Sequence, residues 1–301
     1  MELWIIITIG AAFFQNIRST FQKYLKDRIS TSAATFVRFG FGIPFAIMYL
    51  LAFLWMTGDE LPGVETRFWA WASIAAVAQI LATALLLMTF SFRNFAVGTA
   101  YSRTEPAQTA LFALVLVGEQ ISLYGIMAIA VSIAGVMLIS VARTAITLRS
   151  LVSSLASPVA ILGLGSGTLF GLAAVGYREA ALSVDHDLSF MKGAVTLCFA
   201  IILQSILTLG WIVLRERHQM VKIFKAWKPA LLVGFVGATA SFGWFTAFTL
   251  QQAALVKVVA QIEMLFTFAS SVFFFREKIN RPEVIGCLLI TMGIVLLVIL
   301  T

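Results

Sequence analysis

Arg103 and Glu105 interrupt one apolar run of this sequence, and Lys257, Gln261 and Glu263 interrupt another. Runs of about twenty apolar residues are long enough to cross a bilayer. A charged side chain near the middle of such a span costs roughly 2.5–3.5 kcal/mol on insertion scales, so charges there mark ion or solute pathways. Guanidinium and ammonium groups can hold a carboxylate, while a glutamate can hold an amine or carry a proton. Each glutamate could equally neutralise a nearby arginine or lysine as a structural ion pair, and the residue types leave both readings open.

Helical spacing narrows the geometry. Tyr101 and Glu105, four apart, share a face, as do Lys257 and Gln261. Arg103 and Glu105 lie about 200° apart on a regular helix and cannot reach one point unless the helix deforms. Pro106 removes a backbone donor and predicts a break there. Gln15, Arg18, Ser19 and Gln22 form a polar stripe that must face protein or water. Trp244 is an aromatic that can stack on cargo. The candidate substrate contacts are therefore Tyr101, Arg103, Glu105, Lys257, Gln261, Glu263, Gln15, Arg18, Ser19 and Trp244. Arg38, Pro106, Glu119 and Glu277 are assigned to gating or structure, the two glutamates because they sit at helix ends. Gly163, Gly167 and Gly171, four apart, make a seam that lets another backbone approach closely.

The elements that must position these residues follow from composition and repetition. Of 301 residues, 60% are hydrophobic and 12% charged, about half the charge of a soluble domain. Apolar runs near 3–24, 32–56, 68–91, 95–117, 123–141, 159–182, 190–214, 229–250, 254–275 and 283–300 predict ten transmembrane helices. Glu119 and Glu277 stand 158 positions apart, and the same shift matches Trp69 to Trp227, Glu105 to Glu263 and Gly135 to Gly293. The chain thus reads as two copies, 1–142 and 159–301, joined by 143–158. With five helices each, the second copy must enter inverted. The fold class expected is an all-α membrane protein, two inverted five-helix repeats around a central cavity lined by helices 1, 3, 4, 6, 8 and 9.

Charge supplies the orientation. One set of loops holds Lys26, Arg28, Arg93, Arg143, Arg149, Arg215, Arg217, Lys222, Lys225, Lys228, Arg276, Lys278 and Arg281. The other holds Asp59, Glu60, Glu65, Asp185 and Asp187 with Arg67. The basic loops are expected in the cytoplasm and both termini outside, in a multi-pass protein of the bacterial inner (plasma) membrane. The net charge of +7 belongs to these loops and does not indicate nucleic acid. Trp4, Trp69, Trp71, Trp211 and Trp227 fit interfacial belts. Cys198 and Cys287 are expected as free thiols. No zinc spacing, nucleophile elbow or P-loop is present, so no enzymatic activity, cofactor or metal is expected. The expected partners are a small-molecule substrate, the lipid bilayer and a coupling proton, with the chain a monomer or homodimer.

These residues resemble the drug/metabolite transporter (DMT) superfamily, in particular its EamA-type ten-helix members. The resemblance rests on Arg38, Pro106 and Gly118-Glu119-Gln120-Ile121 with Gly135-Val136-Met137-Leu138. In the second copy it rests on Arg276-Glu277-Lys278-Ile279 with Gly286 and Gly293-Ile294-Val295-Leu296. It implies a basket-shaped bundle carrying small organic solutes: amino acids, amphiphilic drugs, vitamins, choline-like cations or sugar derivatives. The sequence departs from the family pattern at Met264, where a second proline would stand, so an equal bend in the two half-sites does not follow from the resemblance. Intramembrane arginine and lysine outnumber glutamate, which favours an amino-acid-like, zwitterionic or anionic cargo moved by alternating access. The alternatives are an exporter of amphiphilic cations that uses the glutamates, and a scaffold or receptor that transports nothing.

Overall fold

A computed structural model describes residues 2–26, 28–89, 91–92, 95–142, 157–273 and 281–300. Glu277 and residues 143–156 of the expected connecting segment lie outside them. Among the described residues the structure is helical, with no strand and one isolated bridge, Val64 to Val184. The helices are α1 (Leu3–Lys26), α2 (Thr31–Gly40), α3 (Ile43–Thr57), α4 (Thr66–Thr89), α5 (Phe95–Ser102), α6 (Glu105–Val117) and α7 (Leu123–Ala142). They continue as α8 (Pro158–Leu182), α9 (Ser189–Arg215), α10 (His218–Lys225), α11 (Trp227–Leu250), α12 (Ala253–Ala260), α13 (Ile262–Phe273) and α14 (Arg281–Leu300).

Where described, each predicted apolar run is essentially helical, but three are split in two: α2/α3, α5/α6 and α12/α13. Among the described residues, six stretches are long and apolar enough to cross a membrane: Thr31–Thr57, Thr66–Thr89, Pro158–Leu182, Ser189–Arg215, Trp227–Leu250 and Arg281–Ile299. Large apolar side chains such as Leu51, Trp55, Leu114, Val115 and Leu288 point outward. In water such a surface would be sticky; hydrocarbon solvates it at no cost. Of the tryptophans assigned to interfacial belts, Trp69, Trp211 and Trp227 are exposed. Trp4 is buried, with its indole donating to Glu2.

Local sequence explains the ends. Ser30 caps α2 by accepting from Ala33 N at 3.2 Å. Gly58 and Gly118 end α3 and α6 with φ of 72° and 71°, a conformation that costs a residue with a Cβ. Both cysteines are free, and the Cys198 thiol donates to Ala46 O at 3.2 Å.

The described residues form two compact units. One draws on Met1–Ile80 and Ala173–Gln252, the other on Leu81–Leu172 and Ala253–Thr301. In the first, α1 packs along α11, and α9 packs against α2, α3 and α11. Phe68, Ala72, Ala180 and Val184 form a buried cluster with Phe199 against it. A polar knot lies in the same unit. The Gln204 amide donates to Gln79 Oε1 at 2.7 Å and to Ala76 O at 3.2 Å, and the Tyr177 hydroxyl donates to the same Gln79 oxygen at 3.0 Å. In the second unit α7 lies along α14, and α12 along α6. Gly135 and Gly286 let those first two backbones meet: a Cβ on Gly135 would lie 2.7 Å from Gly286 O. Each unit therefore combines helices from both sequence copies.

Candidate functional site

The second unit brings together five of the predicted substrate contacts, at two helix breaks. The first break is Arg103-Thr104, between α5 and α6. Pro106, in the first turn of α6, withholds an amide there. Two carbonyls at the break take a hydroxyl beside their backbone donor: the Ser102 hydroxyl bonds Thr99 O at 2.8 Å, and the Thr104 hydroxyl bonds Tyr101 O at 2.7 Å. The second break, at Gln261 between α12 and α13, falls 158 positions later. The two half-sites therefore break at equivalent positions, although Met264 stands where the first copy has Pro106. Gln261 N tightens to a three-residue turn on Val258 O at 3.1 Å, and Met264 N bonds Gln261 O at 2.9 Å. The Gln261 side chain then donates to Arg103 O at 3.3 Å, tying one break to the other. A tertiary contact here does what proline does in the first copy.

The four charges pair across the copies. Arg103 Nη1 bonds Glu263 Oε2 at 2.9 Å, and Lys257 Nζ lies 2.7 Å from Glu105 Oε1. The side chains of Arg103 and Glu263 are 22% and 4% exposed, those of Lys257 and Glu105 13% and 17%. Helix dipoles favour this arrangement. Glu105 and Glu263 occupy the first turns of α6 and α13, where partial positive charge collects. Lys257 lies in the last turn of α12, and Arg103 directly follows α5. Tyr101 turns away into a cluster with Val159 and Ala160 of α8.

The glycine stripe of α8 runs beside the first break. Gly163 meets the Gly98 backbone, a Cβ on Gly167 would lie 2.9 Å from Ser102 O, and one on Gly171 would lie 3.0 Å from Thr109 N. The seam predicted from spacing thus packs on α5 and α6. Glu119 follows the left-handed Gly118 and donates its own amide to Ala113 O at 3.1 Å, ending α6.

The remaining candidates belong to the first unit. Gln15 accepts from the Trp244 indole at 3.1 Å, and Trp244 stacks with Phe248. Arg18 donates to the neighbouring Ser19 at 3.4 Å. Arg18 and Arg38, both buried, pass close to Gly237, with carbons 3.5 and 3.4 Å from where its Cβ would stand. Three residues outside the predicted set are prominent here: Gln79, Tyr177 and Gln204. Their signal was available, since an amide inside an apolar run needs a partner as much as a charge does. Arg178 donates to Phe248 O and, at 2.7 Å, to Gln251 O, closing the C-terminal end of α11.

The sequence matches the EamA-like transporter family over residues 2–141 and again over 157–299. The chain belongs to the EamA-like transporter family. It is accordingly a multi-pass membrane protein of the DMT superfamily and a transporter. A solved crystal structure described only as that of a protein shares the fold: TM-score 0.73, 14% identity, over 99% of this chain and 97% of its own. No curated protein matches the sequence.

Proposed function

We propose that the chain is a secondary active transporter that moves a small amino-acid-like solute, zwitterionic or anionic, across the bacterial inner membrane by alternating access. The observation that carries this reading is the pair of opposed ion bridges at the two helix breaks. Two cations and two carboxylates make a locally neutral array. A zwitterion can replace partners in it without stranding a charge, which is the costly outcome in a low dielectric. Its carboxylate would take Arg103 or Lys257, and its ammonium Glu105 or Glu263, with the spare carboxylate free to carry a coupling proton. Equivalent helices of the two copies pack on each other (α2/α3 with α9, α6 with α12, α7 with α14), and this supports the inverted five-helix repeat on which alternating access relies.

Purified protein in sealed proteoliposomes tests the assignment. Arg103→Ala and Lys257→Ala should each abolish uptake of the cargo that raises the protein's melting temperature in a metabolite screen. Unchanged uptake in both variants would remove the reading. The carboxylates in the first turns of α6 and α13 support the second reading, an exporter of amphiphilic cations. That reading requires Glu263→Gln to abolish cation efflux in a protein that moves no amino acid. A scaffold or receptor would bind solute without flux.

A further inference from the structure

The short helix α10 and the cleft beside it present a surface that solute transport does not use. α10 is anchored by Ile223, 1% exposed, and by Gln219, whose amide oxygen accepts from Ser30 N at 3.2 Å. On its outer face Val221 and Phe224, three apart, are 59% and 65% exposed. Lys222 and Lys225, also three apart, run beside them and are exposed. Together with Arg28 they line an open cleft of about 310 Å³. The Arg28 guanidinium lies 4.6 Å over the ring of Tyr24, which holds the charge in place. Among the described residues of this stretch, the acidic side chain is Glu216, which is engaged by the hydroxyls of Ser30 and Ser32.

A cationic edge beside an exposed aromatic and aliphatic edge on one amphipathic helix matches the boundary between headgroups and acyl chains. A soluble anion would complement the lysines and arginine but leave Phe224 and Val221 in water. Exposed Trp211 and Trp227, in the helices flanking α10, extend the same interfacial character. We propose that α10 and this cleft seat the headgroup of an acidic phospholipid. Arg28, Lys222 and Lys225 face its phosphate, and Val221 and Phe224 enter the acyl boundary. The class of ligand is an anionic glycerophospholipid, bound for its charge and its chains together.

The test titrates phosphatidylglycerol, phosphatidylcholine or inorganic phosphate into the full chain in a neutral detergent and counts bound lipid by native mass spectrometry, with melting temperature as a second readout. Phosphatidylglycerol should bind at least tenfold more tightly than phosphatidylcholine. A basic residue near an anionic surface contributes roughly fivefold, so R28Q/K222Q/K225Q should lose that preference. Phe224→Ser should weaken both lipids. Phosphate should leave the melting temperature unchanged. Equal binding of the two lipids, an undiminished preference in the triple variant, or stabilisation by phosphate matching that by the lipid would each overturn the proposal. K222Q and K225Q singly, each expected to cost about fivefold, give the same reading should the triple variant fold poorly.

Discussion

Replacing Glu263 by glutamine removes one charge from the more buried of the two ion bridges while keeping the side chain's shape. At 2.9 Å two unit charges attract by about 6 kcal/mol at an effective dielectric of ~20. Desolvation has offset much of that in the wild type, because the Glu263 side chain is 4% exposed. The loss on mutation is therefore governed by what remains: a guanidinium held out of water without its counter-charge. Truncating one partner of a buried pair costs about 3–5 kcal/mol. Arg103 keeps 22% of its side-chain surface exposed and can recruit some water, so about 3 kcal/mol is expected. Chemical unfolding in mild detergent measures it. The decisive comparison is the double variant Arg103→Gln with Glu263→Gln, which removes both charges. It should recover at least about 1 kcal/mol relative to the sum of the single losses. A Glu263→Gln protein as stable as the parent, or a double variant whose loss equals that sum, would show that the bridge does not hold these charges in the bilayer.

Three further outcomes follow from the packing and the loops. Gly163→Ala should lower stability by about 1–3 kcal/mol, because its Cβ would meet the Gly98 backbone. Gly10→Ala, with open space at the same position, should leave stability unchanged or raise it in the same melting assay. Gln204→Leu should cost about 0.5–1.5 kcal/mol by removing its amide's hydrogen bonds to Ala76 O and to Gln79 Oε1, which keeps the Tyr177 hydroxyl as its donor, read by chemical unfolding. Glu216, outside the spans, has its carboxyl held below the usual glutamate range, first by the Ser30 hydrogen bond and then by that from Ser32. A depressed folded-state value contributes stability above the ordinary glutamate pKa of about 4.3 and loses it as pH falls through the lower folded value. The melting temperature of Ser30→Ala should therefore fall less steeply than that of the parent between about pH 5 and pH 3, beyond a constant loss of about 1 kcal/mol for the α2 cap.

The apolar runs were legible because a span needs nothing but length and hydropathy. The break at Arg103 was legible too, since Pro106 announces it locally. The break at Gln261 was not: no residue there forbids a helix, and its side chain reaches a carbonyl of the other copy. The charges could be named from composition but not partnered. Arg103 bonds Glu263 rather than the nearby Glu105, and only the bend of both helices decides that. The 158-residue shift revealed two copies in sequence order. It did not reveal that each compact unit draws on both, because that depends on which faces pack.

That sharing has a consequence for the chain's history. With α1 lying on α11 and α7 on α14, a molecule cut between the copies would leave each fragment missing one side of these two interfaces. Under the inverted repeat proposed above, an ancestor of single-copy length would have worked as a couple of identical chains inserted in opposite senses. Joining the two in one polypeptide fixed their stoichiometry and freed each copy to diverge, as Pro106 and Met264 have done.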